Sequence, residues 1–192
     1  MKTDNFPKWF YENATVSDFE AGLAEFKGKK KLKFLQIGVF TGNASAWLLE
    51  NILTDPTSIL VDIDPWCGNL PHESVYDWDD IQEAYKEQVE PYGKKVQSVK
   101  AYSGDWLKEH REGGFDFIYI DGSHDYKDVL YDLTQSLKLI NNGGLIALDD
   151  YFHKDNFGGS YGVNKAVAEV CKLNNLVFKV YPNAHGMVRI NL

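Results

Sequence analysis

The stretch Phe115-Asp-Phe-Ile-Tyr-Ile-Asp-Gly-Ser-His-Asp-Tyr126, followed one helix later by Gly143-Gly-Leu-Ile-Ala-Leu-Asp-Asp-Tyr151, decides the fold of this chain. Each is a short apolar run that ends in carboxylates. Parallel strands buried on both faces read as continuous apolar runs, and open α/β sheets bind ligands beyond the carboxyl ends of their strands. Asp121, Asp149 and Asp150 should therefore meet at one edge. Three converging carboxylates suit a hard ion, Mg²⁺ or a similar divalent cation.

The same alternation of strand and helix patterns continues outward from these runs. Upstream lies a strand from Leu32 to Ile37, then the turn Gly38-Val-Phe-Thr-Gly42 and a helix with Ala44, Trp47, Leu48 and Leu49 on its apolar side. Asn43 is its candidate cap. A second strand, Ser58 to Ile63, runs into Asp64-Pro65; a helix near residues 81–90 precedes a third strand, Val96 to Lys100, and a short helix follows Tyr102-Ser-Gly-Asp-Trp106. Beyond the fourth strand, Phe115 to Ile120, the spacing of Leu130, Leu133, Leu137 and Ile140 marks a helix that Asn141-Asn-Gly-Gly144 ends. Leu145 to Leu148 is the fifth strand, and Val163, Ala166, Val167 and Val170 mark another helix. Two β-rich segments, Leu176 to Tyr181 and Gly186 to Leu192, are separated by Pro182-Asn-Ala-His185, which is short enough to force a hairpin. The expectation is a mostly parallel α/β sheet of seven strands, with helices on both faces and a C-terminal antiparallel hairpin. At 192 residues without repeat or linker, one domain is expected: a helical or lid segment over residues 1–31 and a core over 32–192.

The net charge of −8 argues against a protein built to grip phosphate backbones, so a nucleic-acid partner is disfavoured. The basic run Lys27 to Lys33 reads as a solvated lead-in or, alternatively, a patch for an anionic ligand. No apolar run approaches the roughly 20 residues that cross a bilayer, and the first 20 residues lack the features of a signal peptide. Cys67 and Cys171 have neither the number of a disulfide framework nor metal-ligand spacing. A soluble, cytoplasmic protein without membrane contact is expected.

Gly38 and Gly42 have the spacing G-x-x-x-G, which differs from the dinucleotide fingerprint G-x-G-x-x-G and disfavours a nicotinamide dehydrogenase. Glycines at such a turn allow positive φ and close ligand approach, and the following helix presents its amino-terminal N–H groups. An acid ending the next strand, Asp62 or Asp64, is placed to accept hydrogen bonds from ribose hydroxyls.

In this order, Leu35-Gln-Ile-Gly-Val-Phe-Thr-Gly-Asn-Ala-Ser45, Leu60-Val-Asp-Ile-Asp-Pro65, Ala101-Tyr-Ser103 and the two carboxylate-ended strands resemble class I S-adenosylmethionine-dependent methyltransferases. The similarity runs from about Leu32 to the carboxyl terminus. It is strongest to small metal-dependent O-methyltransferases, such as those acting on catechols and macrolide sugars. The resemblance implies a Rossmann-like fold and S-adenosylmethionine as cofactor, with Gln36, Gly38, Phe40 and Gly42 around its methionine end. It implies Asp62 on the ribose, or Asp64 if the strand is one step out of register, Ser103 near the adenine, and Asp121 beside the cofactor. Asp121, Asp149 and Asp150 fall on the family's metal-ligand positions, and His124 takes the place of a catalytic lysine. Gln36 stands where an acid is usual, Ala101 where Gly is usual and Ala44 where Ser is usual.

Methyl transfer from a sulfonium to a hydroxyl is an in-line displacement, and a neutral alcohol is a poor nucleophile. The expected division of labour is a cation on Asp121, Asp149 and Asp150, with His124 taking the proton from a small-molecule hydroxyl acceptor. His124 has two alternative readings, as a cap of the next helix or a partner of Asp150, and His153 is a second candidate base. Tyr126, Asp128 and Asp132 read as helix surface and helix amino-terminal charge. Trp9, Phe10 and Tyr11 are open between a substrate lid, a homodimer contact and plain packing; Trp66 to Trp78 reads as a cover over the cofactor. Two other readings stay open: a non-catalytic domain that binds S-adenosylmethionine, and a methyltransferase with a nucleic-acid or protein acceptor. The place where nucleic-acid amino-methyltransferases carry N/D-P-P-Y reads Asp121-Gly-Ser-His124 here.

Overall fold

Apolar residues occupy successive positions along the central strands, and the pleat sends them alternately to opposite faces of the sheet. A computed structural model describes residues 2–12, 15–68, 75–152, 162–181 and 186–192. Its strands are β1 (Lys33–Ile37), β2 (Ile59–Asp64), β3 (Val96–Lys100), β4 (Phe115–Ile120), β5 (Ile140–Leu148), β6 (Phe178–Tyr181) and β7 (Met187–Asn191). They form one sheet in the order β3-β2-β1-β4-β5-β7-β6. β1 to β5 pair in parallel, and β7 runs antiparallel to both β5 and β6.

The helices are α1 (Trp9–Glu12), α2 (Thr15–Leu23), α3 (Asn43–Asn51), α4 (Trp78–Val89), α5 (Ser103–Glu109), α6 (Tyr126–Leu139) and α7 (Gly162–Asn174). Phe34, Leu60, Phe117 and Ala147 point to the face covered by α2 and α3. Leu35, Val61, Ile118 and Ile146 point to the face covered by α5, α6 and α7. The sheet is thus covered on both faces, as the unbroken apolar runs require. Among the described residues no helix is long and apolar enough to cross a membrane.

One row of the sheet is polar. Ser98, Asp62, Gln36 and Tyr119 stand side by side across β3, β2, β1 and β4 by strand register. Each finds a partner on the α2–α3 face: Tyr85 of α4 donates to Asp62 at 2.9 Å and lies 2.7 Å from Ser98, and Ser45 of α3 donates to Gln36 at 3.3 Å. A buried polar group costs free energy unless it is so paired.

Three local expectations change. β5 begins at Ile140, because the Asn-Gly-Gly segment pairs onward instead of only ending the helix: Gly143 N donates to Leu192 O and Leu192 N to Gly144 O. α4 begins at Trp78, since the Asp77 carboxylate accepts from the backbone N–H of Asp79 and Asp80 and caps it. Asn43 is not a cap; left-handed Gly42 precedes α3, and Asn43 Oδ1 instead accepts from Gln88 Nε2 at 2.8 Å.

Candidate active site

A cavity of about 1190 Å³ opens over the carboxyl ends of the parallel strands. The backbone ladder continues past the strands and aligns its floor: Gly38 N donates to Ile63 O, Asp121 N to Ile37 O and Asp149 N to Ile120 O. Gln36, Gly38, Phe40, Asp64, Ser103, Asp121, His124, Asp149 and Asp150 all line this one cavity.

The turn after β1 is held from three sides. Asp64 Oδ2 accepts from the backbone N–H of Val39 (2.7 Å) and Phe40 (3.0 Å), and its Oδ1 from Trp66 N (2.7 Å). Those turn N–H groups are therefore engaged by a protein carboxylate and not offered to a ligand. Gln36 Nε2 donates to Gly38 O at 3.0 Å, and Gln88 of α4 donates to Thr41 O at 3.0 Å. Gly38 has φ +82°, and a Cβ there would overlap the carbonyl oxygen of Asp121; the glycine is what lets the ends of β1 and β4 touch. Gly42 (φ +83°) is outside the cavity wall and makes room for the Tyr85 ring, which a Cβ would meet at 2.8 Å. Phe40, itself left-handed at φ +51°, carries an aromatic cluster over the cavity: Trp9 stacks on it at 4.7 Å, and Phe6, Tyr76 and Trp78 meet it edge-on.

The two acids of β2 have different surroundings. Asp62 is fully buried against Tyr85 and is not part of the cavity wall, whereas Asp64 is. Burial pushes the Asp62 carboxyl up to about 7 against the hydrogen bonds of Ser45 and Tyr85. Of the two acids offered for the ribose, the structure brings only Asp64 to the cavity. Burial also raises its carboxyl, opposed by its three backbone N–H donors.

At the β4–β5 end, ligand atoms of Asp121, His124 and Asp150 lie within 4.8 Å of one another, a spacing that could hold a metal ion. Asp149 is not in this group. Its Oδ2 accepts from Tyr119 Oη at 2.9 Å and Thr15 Oγ1 at 3.4 Å, and its Oδ1 from Asp150 N at 2.9 Å. The strand explains the difference: Asp149 continues the alternation onto the α2–α3 face, while Asp150 takes a left-handed turn (φ +57°) towards His124. Of the three acids expected to share an ion, the structure groups two with His124 and ties the third to hydroxyls. Tyr119 Oη also lies 3.1 Å from Asp121 Oδ2, so one phenol, with a single proton to give, bridges the two acids. Burial, then the charges of Asp149 and Asp150, hold the Asp121 carboxyl well above the usual range. His124 Nε2 lies 3.0 Å from Asp150 Oδ2. Burial pulls the imidazole down, but the bond and charge of Asp150 outweigh it and raise its pKa.

Sequence reading missed several members of the site. Asp132 is 3% exposed and lines the cavity, contrary to its expected place on the helix surface. Asp128 is exposed and accepts from Ser123 at 2.7 Å, and Tyr126 is bonded to Glu169. Tyr119 was legible in principle, since strand residues two apart share a face with Asp121; Thr15 had no signal. Trp9 and Phe10 line the cavity, whereas Tyr11 is exposed. In the Trp66 to Trp78 segment, Gly68 and Trp78 line the cavity and residues 69–74 lie outside the described residues, as do His153 and the 182–185 connection.

These shifts make a pH prediction for the metal-free protein. Asp62 and Asp132 both have folded values near 7 against an ordinary 3.8, so the folded state keeps protons that the unfolded chain has released. Their stabilising effect is complete below about pH 4 and is lost as pH rises through about 7. The raised His124 acts in the same direction. Melting temperature should fall between pH 6 and pH 8; a flat or rising profile by calorimetry would contradict the assignment.

Residues 35–151, more than half of the chain, match a family described as "Methyltransferase domain". The chain belongs to the methyltransferase-domain family. The resemblance to class I S-adenosylmethionine-dependent methyltransferases, drawn from the strand-end motifs, holds, and so does the expected Rossmann-like sheet. Among curated proteins, this methyltransferase is 29% identical over 202 residues to "Uncharacterized protein R132" of Acanthamoeba polyphaga mimivirus, covering 100% of this chain and 86% of the relative. Among solved structures it is similar to the O-methyltransferase TomG of Streptomyces achromogenes, involved in tomaymycin synthesis and solved with S-adenosylmethionine. That match has TM-score 0.64 and 15% identity over 97% of this chain and 90% of TomG. Precorrin 8w decarboxylase of Methanobacterium thermoautotrophicum is similar too, with TM-score 0.61 and 12% identity over 92% of this chain and 88% of that one. At such identities the likeness is one of fold, and the fold serves different reactions.

Proposed function

We propose that this methyltransferase transfers the methyl group of S-adenosylmethionine to a hydroxyl of a small molecule, a catechol, sugar or polyketide, with the help of Mg²⁺ or a similar divalent cation. The observation that carries the reading is the convergence of Asp121, Asp150 and His124, with Asp149 beside them, at one end of the cavity that the glycine turn enters. Like-charged carboxylates in so buried a place need protons or a cation, and an oxygen-rich donor set suits a hard ion.

Asp121 and Asp150 would hold the ion, with His124 beside them left free to accept a proton, while Tyr119 and Thr15 fix Asp149 alongside. When bound, the cation supplies charge that neutralises the acids and lowers the pKa of an acceptor hydroxyl. His124 Nε2 is the atom placed to take the hydroxyl proton once it no longer shares one with Asp150. The turn at Gly38–Phe40 receives the methionine end, and Gln36 acts by bracing that turn. Asp64 has one of about four carboxylate acceptor positions left for a ribose hydroxyl. Trp9 and Trp78, gathered on Phe40, exclude water from above.

The test is calorimetric titration of S-adenosylmethionine with and without Mg²⁺, followed by methyl-donor consumption against catechols, sugars and polyketides. Binding of the cofactor and metal-stimulated turnover of one acceptor class are expected. Absence of cofactor binding would overturn the reading, and turnover indifferent to chelation would remove the cation from it.

A further inference from the structure

Asp132 is a buried acid for which the roles above have no use. It lies in the second turn of α6, 3% exposed, on the cavity wall. Ser103 Oγ, at the first turn of α5, donates to its Oδ2 at 2.9 Å; among the described residues Oδ1 accepts no hydrogen bond. Burial pushes this carboxyl up to about 7, with Asp128 adding to the effect and Ser103 opposing it. An acceptor oxygen without a protein donor on the wall of a ligand cavity is placed to receive a donor from the ligand.

Strand order identifies that part of the ligand. β3 and β5 flank central β1 on opposite sides, two strands away in each direction. At about 4.8 Å per strand, the β3 and β5 ends are roughly 19 Å apart. The reacting methyl group must lie near Asp121 and Asp150, at the β4–β5 end. The nucleoside must then extend the other way, past Asp64 of β2 towards Tyr102 and Ser103 after β3. Tyr102 lines this end too, its hydroxyl 3.1 Å from Cys67 Sγ, and has an aromatic ring of the kind on which a base stacks.

We infer that Asp132, oriented by Ser103, selects the base of the bound nucleoside by accepting a hydrogen bond from the exocyclic amino group of adenine. The inference rests on the proposed use of S-adenosylmethionine. A 6-keto base would set a carbonyl oxygen against the ionised carboxylate, two acceptors without a proton between them, so the comparison is made at pH 8, above the value of about 7 to which burial raises Asp132. Such a mismatch is rejected far more strongly than a difference in apolar bulk. The acid is a specificity determinant, distant from the reacting atoms.

The experiment compares calorimetric affinities of S-adenosylhomocysteine and S-inosylhomocysteine for the full chain and for Asp132→Asn and Asp132→Ala. Wild type should prefer the adenosyl ligand by about tenfold or more. Asp132→Asn, whose amide both donates and accepts, should bring the ratio close to one, and Asp132→Ala should lower it through loss of adenosyl affinity. The ratio within one protein does not depend on the fraction folded. A wild-type ratio near one overturns the inference without any variant, as does an undiminished ratio in either folded variant. If wild type binds neither ligand, it is the proposed cofactor that fails.

Discussion

Asp121→Asn should sharply reduce methyl transfer and, in the same protein, raise the melting temperature of the metal-free form at neutral pH. The opposite signs have one cause. Asp121 is surrounded by burial and by the charges of Asp149 and Asp150, so its ionised form is disfavoured in the folded state. A folded-state pKa raised above the unfolded value stabilises at low pH and loses that contribution as pH rises through the folded value. An amide of the same shape removes the charge and can still accept from Tyr119. For a chain of this size each 1 kcal/mol gained raises the melting temperature by about 2–4 °C. Turnover should fall by roughly 10²–10³-fold, the scale for removing one preorganised charge-stabilising group. S-Adenosylhomocysteine should still bind, through the turn, Asp64 and the β3 end, while calorimetric Mg²⁺ affinity collapses. A destabilised metal-free variant, or one with unchanged Mg²⁺ affinity, would refute the cluster as a cation site.

Gly38→Ala should be the most damaging single-methyl change at the site. A left-handed backbone costs a residue with a Cβ about 1–2 kcal/mol, and forcing a methyl against a packed neighbour costs about 1–3 kcal/mol more. The neighbour is the backbone of Asp121, which the ladder from Ile37 holds and which cannot turn aside as a side chain would. A loss of roughly 2–5 kcal/mol, or about 5–20 °C in melting temperature, is expected. Gly42→Ala has nearly the same dihedral cost, but there the methyl meets the edge of the Tyr85 ring at 2.8 Å. Thermal melts of the two variants should rank Gly38→Ala clearly below Gly42→Ala; equal losses would mean that dihedral strain alone matters.

The strands were legible because a parallel sheet buries both faces and leaves unbroken apolar runs that end abruptly. β3 and β4 lie where the runs placed them, and the terminal hairpin followed from the shortness of its connection. The carboxylate-ended strands likewise brought Asp121, Asp149 and Asp150 to one cavity. Side-chain direction was harder to read. Whether Asp149 or His124 faces the same point as Asp150 depends on one left-handed residue and on a threonine 134 positions away, neither of which a local pattern records. Asp62 and Asp64 share a strand face, and only the packing of Tyr85 from α4 removes the first from the cavity. Asp132 misled for the opposite reason: an acid near a helix start is ordinarily solvated, and its burial depends on how α5 crosses α6.

The polar row beneath the cavity also acts as a key for strand alignment. A strand that slips by one residue exchanges its two faces, and apolar strands alone would tolerate that exchange, since both faces of this sheet are greasy. With Gln36 in β1 and Asp62 in β2, a slip would carry an amide and a carboxyl into the layer of α5, α6 and α7, where the sheet residues facing them are Leu35, Val61, Ile118 and Ile146. The same slip would withdraw Gly38 from Asp121 and Asp64 from the turn. Misaligned chains are thus penalised by desolvation before any ligand is present, and the chain cannot settle into a folded form whose catalytic end is out of step.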